Sequence, residues 1–228
     1  MSNLQKLGGW GGVAHALAYV VSMLLGAAVI FPRLGSGPGA YVAFVAGNQA
    51  VVYVWNLVAY WGSAITLVVM VLALHERLKS AAPGGAQLAA AFGLIWAALI
   101  IGSGNLMLRD VGVVAQLYAS DPAQAAAAWV TLEAVENGIV SGNEVVGSLW
   151  VLALSLTAWR TGELPKTLNL FGVFISLAGL LTIIPPLAEP MIMIFGPGMI
   201  VWSAWAGIAL LRARGRVARR VIALGGAA

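Results

Sequence analysis

The sequence has no cysteine and very little charge. Without cysteine, the chain cannot form disulfides, thiolate metal sites or cysteine nucleophiles. Charged residues make up only 9% of its 228 residues, whereas soluble proteins carry roughly a quarter. Hydrophobic residues make up 61%. A soluble domain of this length could not bury so much apolar surface, so the composition indicates an integral membrane protein.

Motifs for common catalytic and cofactor sites are also missing. The chain has only two histidines, and the sequence contains no H-E-x-x-H zinc motif, phosphate-binding loop or G-x-S-x-G nucleophile motif. His15 is the only histidine in a predicted span, and no second ligand lies at helical spacing from it. We therefore expect no metal site and no cofactor, and the sequence identifies no catalytic residue.

Six apolar stretches are long enough to cross a bilayer, which takes about 20 helical residues. The sequence therefore predicts an all-α fold, a polytopic bundle of six transmembrane helices forming a single domain over residues 1–228. No clear cleavage site follows the first stretch, so we expect it to be retained. The stretches run from near Gly11 to Phe31, Ala50 to Leu74, Gln87 to Leu108, a fourth ending at Trp159, Leu168 to Leu187, and Met191 to Leu211.

Turn and capping residues predict where these helices begin and end. Pro185 and Pro186 are expected to end the fifth helix, and Pro190 to start the sixth. Ser120-Asp121-Pro122 is a strong helix start, with a capping residue followed by proline in the first turn. No Pro or Gly pair follows until Thr161-Gly162. The pattern predicts a long fourth helix whose first part lies outside the hydrocarbon core.

The basic residues predict the orientation. If the N-terminus is cytoplasmic, all of the twelve Lys and Arg residues except Arg33 and Arg109 lie inside. Six spans then place the C-terminus inside as well. The basic tail from about residue 212 is expected to contact anionic lipid rather than nucleic acid. We therefore predict a multi-pass protein of the bacterial plasma (inner) membrane, with the lipid bilayer as its partner. The sequence predicts no oligomeric state.

The stretch before and within the fourth span carries the most informative polar residues. At about 100° per residue, Glu136, Asn143 and Glu144 share one helix face. Gly138 and Gly142 form a G-x-x-x-G pattern on the opposite face, which predicts close packing against another helix of the monomer. Intramembrane carboxylates usually face a bundle interior or a water-filled cavity. The alternative is that Glu144 reaches interfacial water, and solvation is the simpler interpretation for Glu133 and Glu136.

Other polar side chains fall at the same predicted depth. Asn56 lies early in the second span and Asn105 late in the third, while Arg109 is a natural partner for Glu144 or Asp110. The alternative for each asparagine is an interhelical hydrogen bond worth about 1 kcal/mol. We predict a polar vestibule that opens outward, with these candidate ligand-binding residues: Glu144, Asn143, Glu136, Asn105, Asn56 and Arg109.

The second half of the chain resembles a family of uncharacterised six-helix bacterial membrane proteins, a domain of unknown function. The resemblance covers roughly the last hundred residues and implies the six-span fold, but no activity or site residues. The segments that carry it are Gly147-Ser148-Leu149-Trp150, Trp159 to Lys166, Leu177-Ala178-Gly179-Leu180, and Ile200 to Arg212.

Three functions are compatible with this pattern. The first is a small-molecule or ion binding protein, a transporter or sensor, with its ligand in the vestibule. The second is a membrane-embedded enzyme acting on a lipid-soluble substrate, with Glu144 as general acid, a role that suits a buried carboxyl. The third is a non-catalytic accessory subunit whose glycine-rich faces contact partners. An enzyme requires a second polar group facing Glu144 and an apolar substrate pocket. A transporter requires access from both sides, and a subunit should show neither feature.

Overall fold

The computed structural model describes residues 2–140 and 142–212, with the side chain of Val140 left out. All regular elements in these ranges are helical, which confirms the all-α prediction. The basic run expected after Arg212 lies outside the described residues. The helices are Asn3–Leu34 (α1), Pro38–Gly47 (α2), Gln49–Leu78 (α3), Pro83–Ser120 (α4), Pro122–Val140 (α5), Asn143–Thr161 (α6), Lys166–Leu181 (α7) and Pro185–Arg212 (α8).

Five helical stretches among the described residues are long and apolar enough to cross a membrane. They are α1, α3, α4, α8 and the stretch Pro122–Thr161, which comprises α5 and α6. α7 is also apolar but has only 16 residues. The chain is therefore a multi-pass helical membrane protein. The six-span count and the cytoplasmic position of both termini stay predictions.

Six of the helices form a closed ring in chain order. α1 packs against α3, α3 against α4, α4 against α6, α6 against α7, α7 against α8, and α8 against α1. The two remaining helices lie outside this ring, where α5 packs along α4 and α2 packs against both α4 and α5. This order follows from short connections, which place consecutive helices side by side and antiparallel.

The ring encloses a hydrophobic core, here termed the bundle core. Trp150 and Trp202 are fully buried at its centre, with ring centroids 5.4 Å apart in an edge-to-face arrangement. Trp96 packs on Trp150 from the other side at 5.7 Å. Glycines bring α1 and α8 into backbone contact, since a Cβ atom on Gly207 would lie 2.6 Å from the Gly9 carbonyl oxygen. Such close approach is typical of membrane helix pairs.

A second, smaller core lies at one end of the ring and is termed the end cluster. It is built from the last turns of α1, the first turns of α3, the later part of α4, and the outer helices α2 and α5. The 38 residues of α4 span about 57 Å, longer than the roughly 30 Å hydrocarbon core. The end cluster comprises Ile30, Tyr41, Val42, Val45, Val52, Val111, Val114, Ala125 and Trp129.

The prediction of one long fourth helix is correct about where the helix starts but wrong about its continuity. Its start is confirmed, because Asp121 Oδ1 accepts hydrogen bonds from the backbone N–H groups of Ala123 at 2.9 Å and Gln124 at 3.0 Å. However, α5 ends at Val140 and α6 begins at Asn143, after Gly142 with a left-handed φ of 98°. Glycine adopts this conformation without steric cost, so a single Gly suffices to interrupt the helix.

The expected roles of three prolines are also wrong. Pro185 and Pro186 begin α8 rather than ending the helix before it, and α7 ends earlier, at Leu181. Pro190 lies inside α8 instead of starting it. The physical reason is that proline suits a first helical turn, where its missing N–H would have no intrahelical partner.

Candidate ligand-binding cavity

A cavity of about 210 Å³ lies against the end cluster. Its walls come from the last turns of α1, from α2, from the outer turns of α3 and α4, and from α5. Distant parts of the chain therefore meet here, and the two helices outside the ring complete the enclosure. Without α2 and α5 the polar side chains of α4 would lack any cover on this side.

Two π-helical turns flank the cavity. One occupies Gly26–Ile30 near the end of α1, and the other occupies Leu57–Gly62 in α3. A π turn carries an extra residue and rotates the side chains that follow it, and such turns are frequent at functional sites. Ile30 ends the first turn and Tyr60 lies within the second, and both line the cavity.

Aromatic side chains form much of the cavity wall. Tyr41 of α2 packs on Trp129 of α5, with ring centroids 4.4 Å apart. Trp55 makes edge-to-face contacts with Phe31 at 6.2 Å and with Tyr60 at 6.0 Å. All five rings line the same space. They offer π faces that attract cations.

Two buried carboxyl groups face each other in this cavity. Asp110 of α4 and Glu136 of α5 are 5% and 7% exposed, and both side chains line the same space. Both groups are acceptors when ionised, so they can bond to each other only if one of them carries a proton. No donor among the described residues reaches Asp110 Oδ2.

The cavity is strongly acidic. Glu133 lines it beside Asp110 and Glu136, and the described residues that line it include no Lys, Arg or His. Burial raises the pKa of the Tyr41 hydroxyl, and the negative charges of Glu136 and Glu133 raise this pKa further. Whatever enters the cavity meets three acidic side chains and no basic side chain among the lining residues that the structure describes.

Asn56 supplies a further buried acceptor. Its side chain is 2% exposed, and its Nδ2 group donates to the Val52 carbonyl oxygen at 3.1 Å. Its Oδ1 atom has no donor among the described residues. The cavity is thus lined by acceptor atoms of Asn56 and Asp110 that the protein itself leaves unpaired. Buried acceptors normally have a partner, so each such exception needs an explanation.

The predicted site residues fall into two groups. Asn56 and Glu136 line the cavity, whereas the other four lie elsewhere. Asn143 Oδ1 accepts from Trp96 Nε1 at 2.8 Å. Glu144 accepts from the backbone N–H of Gly142 at 3.0 Å, and Asn105 and Arg109 are exposed. The break at Gly142 ends the common helix face on which the pattern placed Glu136 and Glu144, and Glu144 does not line the cavity.

Asp110, Glu133 and Asn137 also line the cavity, although none of them is among the predicted site residues. Asp110 was expected only as a partner of Arg109, and Glu133 was expected to be solvated. A usable signal was present in α4, where Met107, Asp110, Val111 and Val114 recur at helical spacing and share the buried face. A carboxylate within an apolar stripe is a candidate for burial even near a helix end.

A metal centre gains no support from the described residues. They contain no group of three or more His, Asp or Glu side chains placed to hold an ion. His15 is fully buried at the level of the bundle core, where its Nδ1 atom lies 2.8 Å from the Ser63 carbonyl oxygen. Its ring packs edge-on to Tyr19 at 4.9 Å. This environment is that of a packed histidine with one hydrogen bond.

Comparison with protein families identifies relatives across nearly the whole chain. Residues 8–213 match the family described as a domain of unknown function, DUF4386. The chain belongs to this family. All residues that line the cavity fall within the matched range. The resemblance noted above for the second half of the chain therefore extends over the first half of the chain as well. DUF4386 carries no described activity, and no curated protein and no solved structure gives a significant match.

Proposed function

We propose that this DUF4386 protein binds a small organic cation, a protonated amine, in the acidic cavity, in order to transport or sense it. The observation that carries this proposal is the pair of unpaired acceptors, Asn56 Oδ1 and Asp110 Oδ2. Leaving a buried acceptor unpaired costs about 1–3 kcal/mol. A ligand with N–H donors recovers this free energy on binding, so the cavity favours such ligands over those without donors.

The charge and the aromatic wall support the same ligand class. When ionised, Asp110, Glu133 and Glu136 supply negative charge, and no basic residue is among the described residues that line the cavity. Tyr41, Trp55 and Trp129 present rings to the same space. A cation held over aromatic faces gains about 0.5–2 kcal/mol, most when it is desolvated. Carboxylates and rings together therefore recognise an ammonium better than either does alone.

The volume limits the size of the group that the cavity can hold. Most sites for drug-sized ligands have roughly 300–1,000 Å³, whereas this cavity has about 210 Å³. It therefore suits a compact group such as an alkylammonium. Hydrated metal ions are less well matched, because Mg²⁺ and Ca²⁺ require several oxygen ligands at fixed distances and the wall is largely aromatic.

The enzyme and subunit alternatives receive less support. Glu144, the acid assigned to the enzyme, accepts a hydrogen bond from Gly142 and does not line the cavity. An accessory subunit has no need for buried carboxylates, which are costly to retain. A concave site with Asp110 and Glu136 in its wall is better explained by a ligand than by a partner chain.

Titration calorimetry on the purified protein in detergent tests the proposal with ethylammonium as the probe. We expect saturable binding, and we expect Asp110→Asn to weaken it about tenfold or more, since hydrogen bonds to charged groups contribute about 1.5–3 kcal/mol. Tetramethylammonium, which has the charge but no N–H donor, should bind more weakly than ethylammonium. Calcium should not compete.

The matched control is Glu189→Gln, which removes the same charge from an exposed position in α8 away from the cavity. This variant should bind ethylammonium as the unmodified protein does. The proposal fails if ethylammonium shows no saturable binding, or if Asp110→Asn and Glu189→Gln behave alike. Stronger binding of calcium than of ethylammonium would show that the acids form an inorganic cation site instead.

A further inference from the structure

We infer that the cation is amphipathic, with its ammonium group in the cavity and a single apolar tail in an adjoining groove on the outside of the helix bundle. This inference rests on the proposed function. The groove has about 350 Å³ and lies between the last turns of α1 and the first turns of α3. Every residue that lines it is apolar: Leu25, Ile30, Ala50, Val51, Val54 and Trp55.

The groove and the cavity adjoin each other. Ile30 and Trp55 line both spaces. Trp55 is held in place because its Nε1 group donates to the Ser22 carbonyl oxygen at 3.0 Å. The acidic space and the apolar one therefore meet at these two side chains. A ligand that spans them would place a charged group and an apolar chain in matching surroundings.

The groove is open on the side away from the ring. Val54 is 55% exposed and Val51 is 42% exposed, although both are apolar. In a membrane protein such a surface faces lipid, and a chain from the bilayer can enter the groove without crossing water. The predicted second span, Ala50 to Leu74, contains the groove residues Ala50, Val51 and Val54, so lipid chains can reach the groove within the hydrocarbon core.

Charge excludes ordinary membrane lipids from this composite site. Phospholipids carry a phosphate, which Asp110, Glu133 and Glu136 would repel, and the described lining residues provide no basic group to compensate. The occupant that satisfies both parts is a long-chain amine without phosphate. The ammonium group in the cavity then accounts for the unpaired acceptors. The apolar tail accounts for the exposed apolar groove.

Photolabelling of the protein in nanodiscs of zwitterionic lipid tests this inference. The probe is a ten-carbon alkylammonium with a diazirine near the end of its tail, and the matched probe is the corresponding alcohol. We expect the ammonium probe to label the groove around Val51 and Val54 severalfold more than the segment around Ile65. Ile65 is a suitable reference because it lies in the same helix and is equally exposed, at 55%. The alcohol should label both segments alike.

Variants and competition separate this inference from the proposed function. Asp110→Asn and excess ethylammonium should each remove the preference for the groove. Val54→Trp, which fills the groove, should remove it too, whereas Ile65→Trp should not. If ethylammonium binds in calorimetry but the ammonium probe labels like the alcohol, the tail site is refuted and the proposed function stands. If neither amine binds, both fail. Equal labelling of the groove by the alcohol and the ammonium would also refute the inference.

Discussion

The bundle core and the end cluster differ in the polar side chains that they bury. In the bundle core the buried polar side chains include Ser148, Ser155, Ser203, Asn169 and His15, none of them acidic, and glycines let the helices touch. At the end cluster, Asp110 and Glu136 are the buried carboxylates of the described residues, beside a cavity and two π turns. Both regions contain buried polar atoms without a hydrogen-bond partner among the described residues, but among these residues only the end cluster has buried carboxyl groups beside a cavity.

This difference indicates where function resides. Proteins violate packing and charge rules mainly at functional sites and compensate elsewhere. The ring of α1, α3, α4, α6, α7 and α8 provides the compensation, because its tight packing fixes the positions of Asn56 on α3 and Asp110 on α4. α2 and α5 then close the site from outside. Three substitutions, each with a control, measure this contrast.

The largest expected loss is in the bundle core. Gly207→Ala would place a Cβ atom 2.6 Å from the Gly9 carbonyl oxygen and 2.9 Å from the Val13 amide nitrogen. Overpacking of this kind costs about 1–3 kcal/mol of unfolding free energy. Gly102→Ala is the control, because its Cβ atom would meet nothing within 4 Å. Thermal unfolding in a mild detergent should show a lowered midpoint only for Gly207→Ala, and equal midpoints would contradict the close packing.

The end cluster should respond in the opposite direction. We expect Asp110→Asn to raise the unfolding free energy of the unliganded protein at neutral pH by about 1–2 kcal/mol, since it removes one of two adjacent buried acids. Such gains at the cost of activity mark functional sites. The unfolding midpoint without ligand measures the gain, and Glu189→Gln should leave it unchanged. A lowered midpoint for Asp110→Asn would mean that the carboxylate serves structure rather than binding.

The fold class could be predicted from the sequence, whereas the surroundings of the cavity residues could not. Long apolar stretches fixed the helical membrane class, because hydropathy is a property of many residues at once. Asn56 and Glu136 were placed among candidate site residues, whereas Asp110 and Glu133 were given the wrong surroundings. Their burial depends on α2 and α5 folding back over α4, a tertiary contact without a local signal. The G-x-x-x-G pattern misled for the same reason, since Cβ atoms on Gly138 and Gly142 would contact nothing.

Gly142 provides the smallest expected effect and the sharpest test of how the two regions join. Gly142, with a φ of 98°, lies between α5, which belongs to the end cluster, and α6, which belongs to the ring. A side chain in the left-handed region costs on the order of 1 kcal/mol, so Gly142→Ala should lower the unfolding midpoint slightly. Gly138→Ala, within α5 and equally unobstructed, should raise it, because alanine is the better helix former. If Gly142→Ala raises the midpoint as well, residues 122–161 favour one continuous helix. Glu136 would then share a face with Glu144, and the cavity would lose the acid that faces Asp110.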